Sequence, residues 1–129
     1  MANWLVGAGA ISGGLSVALG AFAAHGLKKR FTPYAMEIFE TGVKYQFYHA
    51  LALLAVGLLW QMSGRPGQLL WVGRLFVTGT LIFSGSLYLL AWLKSQGQEQ
   101  FNWLGAITPL GGLSFIAGWV MLVLAAWKA

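Results

Sequence analysis

The polar side chains best suited to chemistry are concentrated in residues 44–49 of the chain. Tyr45, Gln46 and His49 lie at positions i, i+1 and i+4, so a helix places them near one face. The other histidine, His25, ends the first long apolar segment. If both segments cross a membrane, the two histidines lie on the same membrane side and can face each other. We therefore predict a binding cluster of His25, Tyr45, Gln46 and His49.

Three interpretations of this cluster remain open. Polar side chains in membrane helices commonly hydrogen-bond to neighbouring helices, so the cluster can act as a clasp that pins a helix bundle. Ionisable groups in a membrane also mark binding sites, here for a lipid headgroup, a quinone or another small molecule. Two imidazoles are, in addition, suitable ligands for haem or a transition metal. We favour the clasp and assign no metal or cofactor, because two histidines alone are a weak metal signal.

Enzymatic chemistry lacks most of its usual residues in this chain. There is no cysteine, which excludes disulfides and thiolate sites, and the three acidic residues are Glu37, Glu40 and Glu99. Glu37 and Glu40 suit solvation at a membrane surface as well as acid–base catalysis, which needs positioned partners. We expect a non-enzymatic protein. We also expect no nucleic-acid partner, because the eight Lys and Arg residues are spread along the chain and form no continuous basic face.

The composition is that of a protein whose main solvent is lipid. Of the 129 residues, 58% are hydrophobic and 9% are charged, whereas soluble proteins have about 45–50% and about 25%. A membrane-crossing helix needs about 20 mostly apolar residues. Four stretches meet this requirement and predict a single integral membrane domain, an all-α bundle of four transmembrane helices. The predicted spans are approximately 4–24, 42–62, 69–93 and 103–127.

The segment between the first two spans predicts a short interfacial amphipathic helix. Thr32 can cap its start and Pro33 suits its first position. The charged residues Glu37, Glu40 and Lys44 then alternate with apolar residues at helical spacing, as in helices that lie in the headgroup region. This helix is either separate from the second span or continuous with it and bent near Gly42.

The distribution of Lys and Arg predicts the orientation in the membrane. Cytoplasmic loops carry the excess of these residues, and the first and third loops, which share one side, carry more of them than the opposite side. We expect these two loops in the cytoplasm and both termini outside. The basic residues of the two loops are Lys28, Lys29, Arg30, Lys44 and Lys94.

Small residues within the spans predict close helix packing. Most of the 18 glycines lie in the spans, where they let helices approach one another inside a bundle or across an oligomer interface. Residues 9–16 also resemble residues 105–114, which is the kind of internal similarity seen in inverted-repeat transporters. A small transporter built from the first and fourth spans is therefore an alternative, with Pro109 breaking the fourth span.

Several motifs resemble a known family. They are the runs 20–28, 39–50, 83–88 and 107–112, which include Ala24-His25-Gly26 and Tyr45-Gln46-Phe47-Tyr48-His49. The chain resembles the small bacterial membrane proteins grouped as domain of unknown function 423, which are similar to eukaryotic transmembrane protein 256. The resemblance implies a four-span protein of the bacterial inner membrane with no settled activity. Its motif positions here are His25, Gly26, Tyr45, Gln46 and His49.

These observations predict a non-enzymatic accessory or binding component of the inner membrane. We expect contact with membrane lipids, and a homo-oligomer or a membrane-protein partner is a further alternative. The alternatives are a small-molecule, quinone or haem binder at His25, Tyr45, Gln46 and His49, and a small transporter.

Overall fold

The computed structural model describes residues 3–128, and these residues form four long helices with no strand among them. Each helix is long and apolar enough to span a membrane, which confirms the predicted all-α membrane fold. Short 3₁₀ turns at Leu27–Lys29 and Glu99–Phe101 lie in the first and third connections. The four helices are α1 (Trp4–His25), α2 (Pro33–Met62), α3 (Gly67–Ser95) and α4 (Leu104–Lys128).

Local hydrogen bonds set the helix boundaries. The Asn3 side chain caps the start of α1. At the start of α2, Thr32 Oγ1 accepts a hydrogen bond from the Ala35 N–H at 3.2 Å, and Pro33 is the first helical residue, as the sequence predicts. The turn after α2 needs a left-handed backbone at Gly64 (φ 82°), which glycine adopts without steric cost.

The amphipathic segment before the second span is the first part of α2 and not a separate helix. Helix α2 runs without interruption for 30 residues, and Glu37, Glu40 and Lys44 are exposed on its surface. Gly42 does not end the segment but allows α2 to approach α3, because a Cβ there would lie 2.8 Å from Cε1 of Tyr88. Of the two arrangements left open by the sequence, the structure shows the continuous helix.

Helix α2 is the centre of the bundle. It packs against α1 and α3, and α3 packs in turn against α4. Within the described residues, α1 and α4 share no packed interface. A larger apolar core includes Leu5, Leu53, Val56, Phe76 and Phe115. A smaller core at the end with the first loop includes Ala23, Leu27, Phe31, Phe39 and Ala91.

Helix α3 contains a π-helical turn at Thr80–Ser84. Ser84 Oγ donates a hydrogen bond to the carbonyl of Gly42 in α2 at 2.7 Å. On the side of α4, Gly111 lies directly against the backbone of Phe83. Turns of this kind are rare and recur near functional sites. Here the turn fixes α3 against both of its neighbours.

Pro109 lies inside α4 without ending the helix. The hydroxyl of the preceding residue, Thr108, lies 3.4 Å from the Leu104 carbonyl and 2.6 Å from Ser86 Oγ of α3. Hydroxyl groups thus join α3 to α4 in the manner expected of polar residues in membrane helices.

Candidate functional site

His49 lies on the face of α2 that is directed towards α4, and its side chain is only 5% exposed. Its Nδ1 lies 2.8 Å from the carbonyl oxygen of Tyr45. Its Nε2 accepts a hydrogen bond from the indole N–H of Trp119 at 3.0 Å. The imidazole also stacks on the ring of Phe115, with 3.6 Å between centroids and an angle of 8° between planes.

These two hydrogen bonds assign the tautomer of His49. A carbonyl can only accept, so Nδ1 carries the proton, and Nε2 is the acceptor for the indole N–H. Both ring nitrogens are therefore engaged by protein groups. Coordination of haem or a metal through His49 would require breaking one of these hydrogen bonds.

The hydrogen bond between Trp119 and His49 gives a first prediction, on stability. Trp119→Phe keeps an aromatic ring but leaves Nε2 of His49 without its donor, and we expect a loss of about 1–2 kcal/mol. The double variant with Trp119→Phe and His49→Phe should lose less stability than the sum of the losses in the two single variants, with a coupling energy of about 1 kcal/mol. Unfolding titrations with SDS in mixed micelles measure these values. Trp127→Phe, at the exposed end of α4, is the matched control, and strictly additive costs would contradict the clasp.

His25 is far from His49. His25 is exposed in the last turn of α1. His49 lies close to the level of Gly9 of α1, because the carbonyl of the next residue, Ala50, lies against Gly9. Gly9 and His25 are 16 residues apart in one helix, which corresponds to about 24 Å along its axis. The structure therefore does not bring the two histidines together, and the expected facing arrangement of these residues is absent. Among the described residues, no group of three or more His, Cys, Asp or Glu side chains could hold a metal ion.

Gln46 is 5% exposed and joins three helices. Its Nε2 donates to the carbonyl of Ser12 in α1 at 3.0 Å. Its Oε1 accepts from the hydroxyl of Tyr88 in α3 at 2.5 Å. This side chain is therefore a structural clasp by its contacts.

Tyr45 points away from the buried face. Its side chain is 40% exposed and packs against the ring of Phe83, with 4.7 Å between centroids. Only its backbone carbonyl reaches His49. Of the four residues predicted as a cluster, Gln46 and His49 are buried on α2, but they contact different neighbours.

Three residues of this region were not singled out by the sequence: Ser12, Tyr88 and Trp119. The signal for Trp119 is its position, because it lies well inside the fourth span while the other tryptophans of the spans lie near their ends. An indole N–H in the membrane interior needs an acceptor. Ser12 and Tyr88 carry no comparable signal, since hydroxyl residues are common in membrane helices.

A groove lies between α1 and α3 and has a volume of about 480 Å³. We call it the α1–α3 groove. Its rim is apolar and exposed, with Ile11 and Leu15 on α1 and Leu81 on α3. Four polar side chains line the groove, namely Ser12, Gln46, Thr80 and Tyr88.

One polar group in the α1–α3 groove has no hydrogen-bond partner. Gln46 and Tyr88 bond to each other, and Thr80 Oγ1 donates to the carbonyl of Phe76 at 2.9 Å. The hydroxyl of Ser12, by contrast, is buried and unpaired. A buried polar group without a partner is costly, so a hydrogen bond between this hydroxyl and a molecule in the groove would remove that cost.

Comparison with known proteins agrees with the motifs. Residues 19–112 match the family described as protein of unknown function DUF423. A UPF0382 membrane protein of Bacillus subtilis, YwdK, is 44% identical over 120 residues, covering 93% of each chain. UPF0382 membrane protein SH2409 of Staphylococcus haemolyticus is also 44% identical, over 93% of this chain and 92% of its own. No solved structure matches the chain. The family match and these relatives, together with the four spanning helices, show that the chain belongs to the DUF423 family of membrane proteins.

Proposed function

We propose that this protein is a non-enzymatic membrane component that binds an uncharged lipophilic molecule in the α1–α3 groove. The observation that carries the proposal is the Ser12 hydroxyl, which is buried and unpaired in a mostly apolar groove of about 480 Å³ whose other polar side chains are hydrogen-bonded. The ligand supplies the missing partner for this hydroxyl.

The lining of the groove determines the class of ligand. Binding sites for small molecules are mostly apolar with a few placed polar groups. None of the described lining residues is charged, and an uncompensated charge in the membrane interior is costly. The ligand is therefore uncharged, apolar over most of its surface, and carries a carbonyl or hydroxyl oxygen that bonds to Ser12.

The same lining supports binding over catalysis. General acid–base chemistry needs a positioned proton donor or acceptor, and no carboxylate, amine or imidazole is among the described residues of the groove. His49 faces Phe115 and Trp119 instead.

The other hypotheses from the sequence gain less support. A haem or metal site at His25 and His49 would need the two residues to come together. A transporter built from α1 and α4 would need an interface that the described parts of these helices do not form. A homo-oligomer, a membrane-protein partner, and the orientation with both termini outside stay predictions.

A photoactivatable probe tests the proposal. A diacylglycerol with a diazirine on one acyl chain is added to vesicles that contain the protein. It should label residues of the α1–α3 groove more strongly than the exposed α4 residues Leu110, Leu113 and Ile116. Gly85 lines the groove, and a Cβ there would have no atom within 4 Å, so Gly85→Leu places a side chain in open space at the groove. We expect this variant to lower the groove labelling about tenfold, which corresponds to about 1.4 kcal/mol of binding free energy.

The matched control is Gly105→Leu in α4. A Cβ there would also have no atom within 4 Å, but Gly105 does not line the groove. Its labelling pattern should equal that of the unmodified protein. Equal labelling of all lipid-facing helices, unchanged by Gly85→Leu, would show that the groove is ordinary lipid-exposed surface and would refute the proposal.

A further inference from the structure

A second cavity lies at the end of the bundle that carries the first loop. Its volume is about 430 Å³. Its walls are apolar and largely aromatic, with Phe22 of α1, Phe31 of the first loop and Trp92 of α3. Trp92 is 51% exposed, as expected of a tryptophan at the membrane–water interface. We call this space the outer cavity, where outer means closer to this end of the bundle than the α1–α3 groove and does not refer to a side of the membrane.

The outer cavity has one charged side chain in its lining, that of Arg30. Lys28 and Lys29 precede it and are exposed like Arg30. Among the described side chains, no carboxylate forms an ion pair with any of the three. Glu40 lines a different cavity together with Lys28. A guanidinium beside an apolar cavity without a counter-charge is complementary to an anionic group attached to an apolar chain.

We propose that the outer cavity binds an anionic phospholipid of the surrounding membrane. Arg30 contacts the lipid phosphate, because a guanidinium matches the oxygens of a phosphate with two parallel hydrogen bonds. Lys28 and Lys29 raise the local positive potential, as juxtamembrane basic clusters do at anionic membranes. One acyl chain lies between Phe22 and Trp92.

This lipid site is independent of the ligand proposed for the α1–α3 groove. The two cavities meet at Leu19 and Tyr88, which line both. Their chemistry differs, because the outer cavity carries a cation whereas the groove has no charged lining residue. A phospholipid in the outer cavity would close the groove at that end, but neither occupant requires the other.

Two photoactivatable phospholipids with identical diazirine-bearing chains test the inference. Phosphatidylglycerol, which is anionic, should label the outer-cavity residues Phe22 and Trp92 about fivefold more than phosphatidylcholine does, as expected for one added cation–anion contact. Arg30→Gln should remove this preference. Arg74→Gln is the control, since Arg74 is also exposed and lies over the ring of Trp71 away from the cavity, and it should leave the preference unchanged.

The outcomes separate the two proposals. Equal labelling of the outer cavity by the two lipids, or a preference that survives Arg30→Gln, would overturn the phospholipid site, whatever the diacylglycerol probe shows in the α1–α3 groove. A preference lost equally in Arg74→Gln would also overturn it, because it would then reflect overall charge. Retained folding of Arg30→Gln is checked by its SDS unfolding midpoint.

Discussion

Replacing Gly111 by alanine is expected to lower the free energy of unfolding by at least about 3 kcal/mol, at the upper end for an overpacked position. Gly111 is buried where α4 meets the π-helical turn of α3. A Cβ at this position would overlap the backbone nitrogen of Phe83 and lie 2.8 Å from its Cα. Backbone atoms cannot rotate away, so α3 and α4 would have to separate. SDS unfolding titrations measure the loss.

Gly112→Ala is the matched control for this effect. It makes the same chemical change one residue later, where the new Cβ would have its nearest contact at 3.9 Å from the Phe83 ring. Because alanine is the better helix former, Gly112→Ala should be neutral or stabilising by up to about 1 kcal/mol. Equal stabilities of the two variants would show that α3 and α4 do not pack at Gly111 as described.

Replacing Gln46 by leucine should be the most damaging change in the polar cluster. It removes the hydrogen bond to the Ser12 carbonyl and the acceptor of the Tyr88 hydroxyl, while filling a similar volume. Two lost interhelical hydrogen bonds and the polar groups left behind should cost about 2–3 kcal/mol. The value is again obtained from SDS unfolding titrations.

Tyr88→Phe separates the two contacts of Gln46. It removes only the hydroxyl, and we expect it to cost about 1 kcal/mol. In the double variant the leucine no longer strands a hydroxyl, so the combined cost should be smaller than the sum. If Gln46→Leu were as stable as the unmodified protein, Gln46 would not be a clasp between α1, α2 and α3.

The large features of the fold could be predicted because they depend on the length and apolarity of segments. Four stretches of adequate length predicted the four spanning helices, and the Thr32-Pro33 pair predicted where α2 begins. The continuity of α2 was left open because a glycine has the same appearance in sequence at a bend and at a close contact. At Gly42 the ring of Tyr88 decides between them, and that ring is 46 residues away in the chain.

The arrangement of the candidate site could be predicted only in part. The sequence identifies the membrane side on which His25 and His49 lie, but not their depth, which depends on how α1 and α2 are aligned. Contact of Gly9 with Ala50 fixes that alignment and separates the histidines. Helical spacing likewise does not decide whether Tyr45 faces the bundle or the lipid, because the directions of the neighbouring helices determine this.

The α1–α3 groove had no sequence signal. It exists because α1 packs mainly against α2 and leaves space between itself and α3. Its only unpaired polar group, among the described residues that line it, is the hydroxyl of Ser12, and serine is common in membrane helices for reasons of packing alone.

A high-resolution experimental structure of the protein in a lipid nanodisc tests the groove most directly. We expect ordered density of a molecule in the α1–α3 groove, with a polar atom about 3 Å or less from Oγ of Ser12 and no charged group beside Gln46. A groove that is empty or holds only disordered lipid, with Ser12 Oγ bonded to a backbone carbonyl of its own helix, would contradict the proposed binding function.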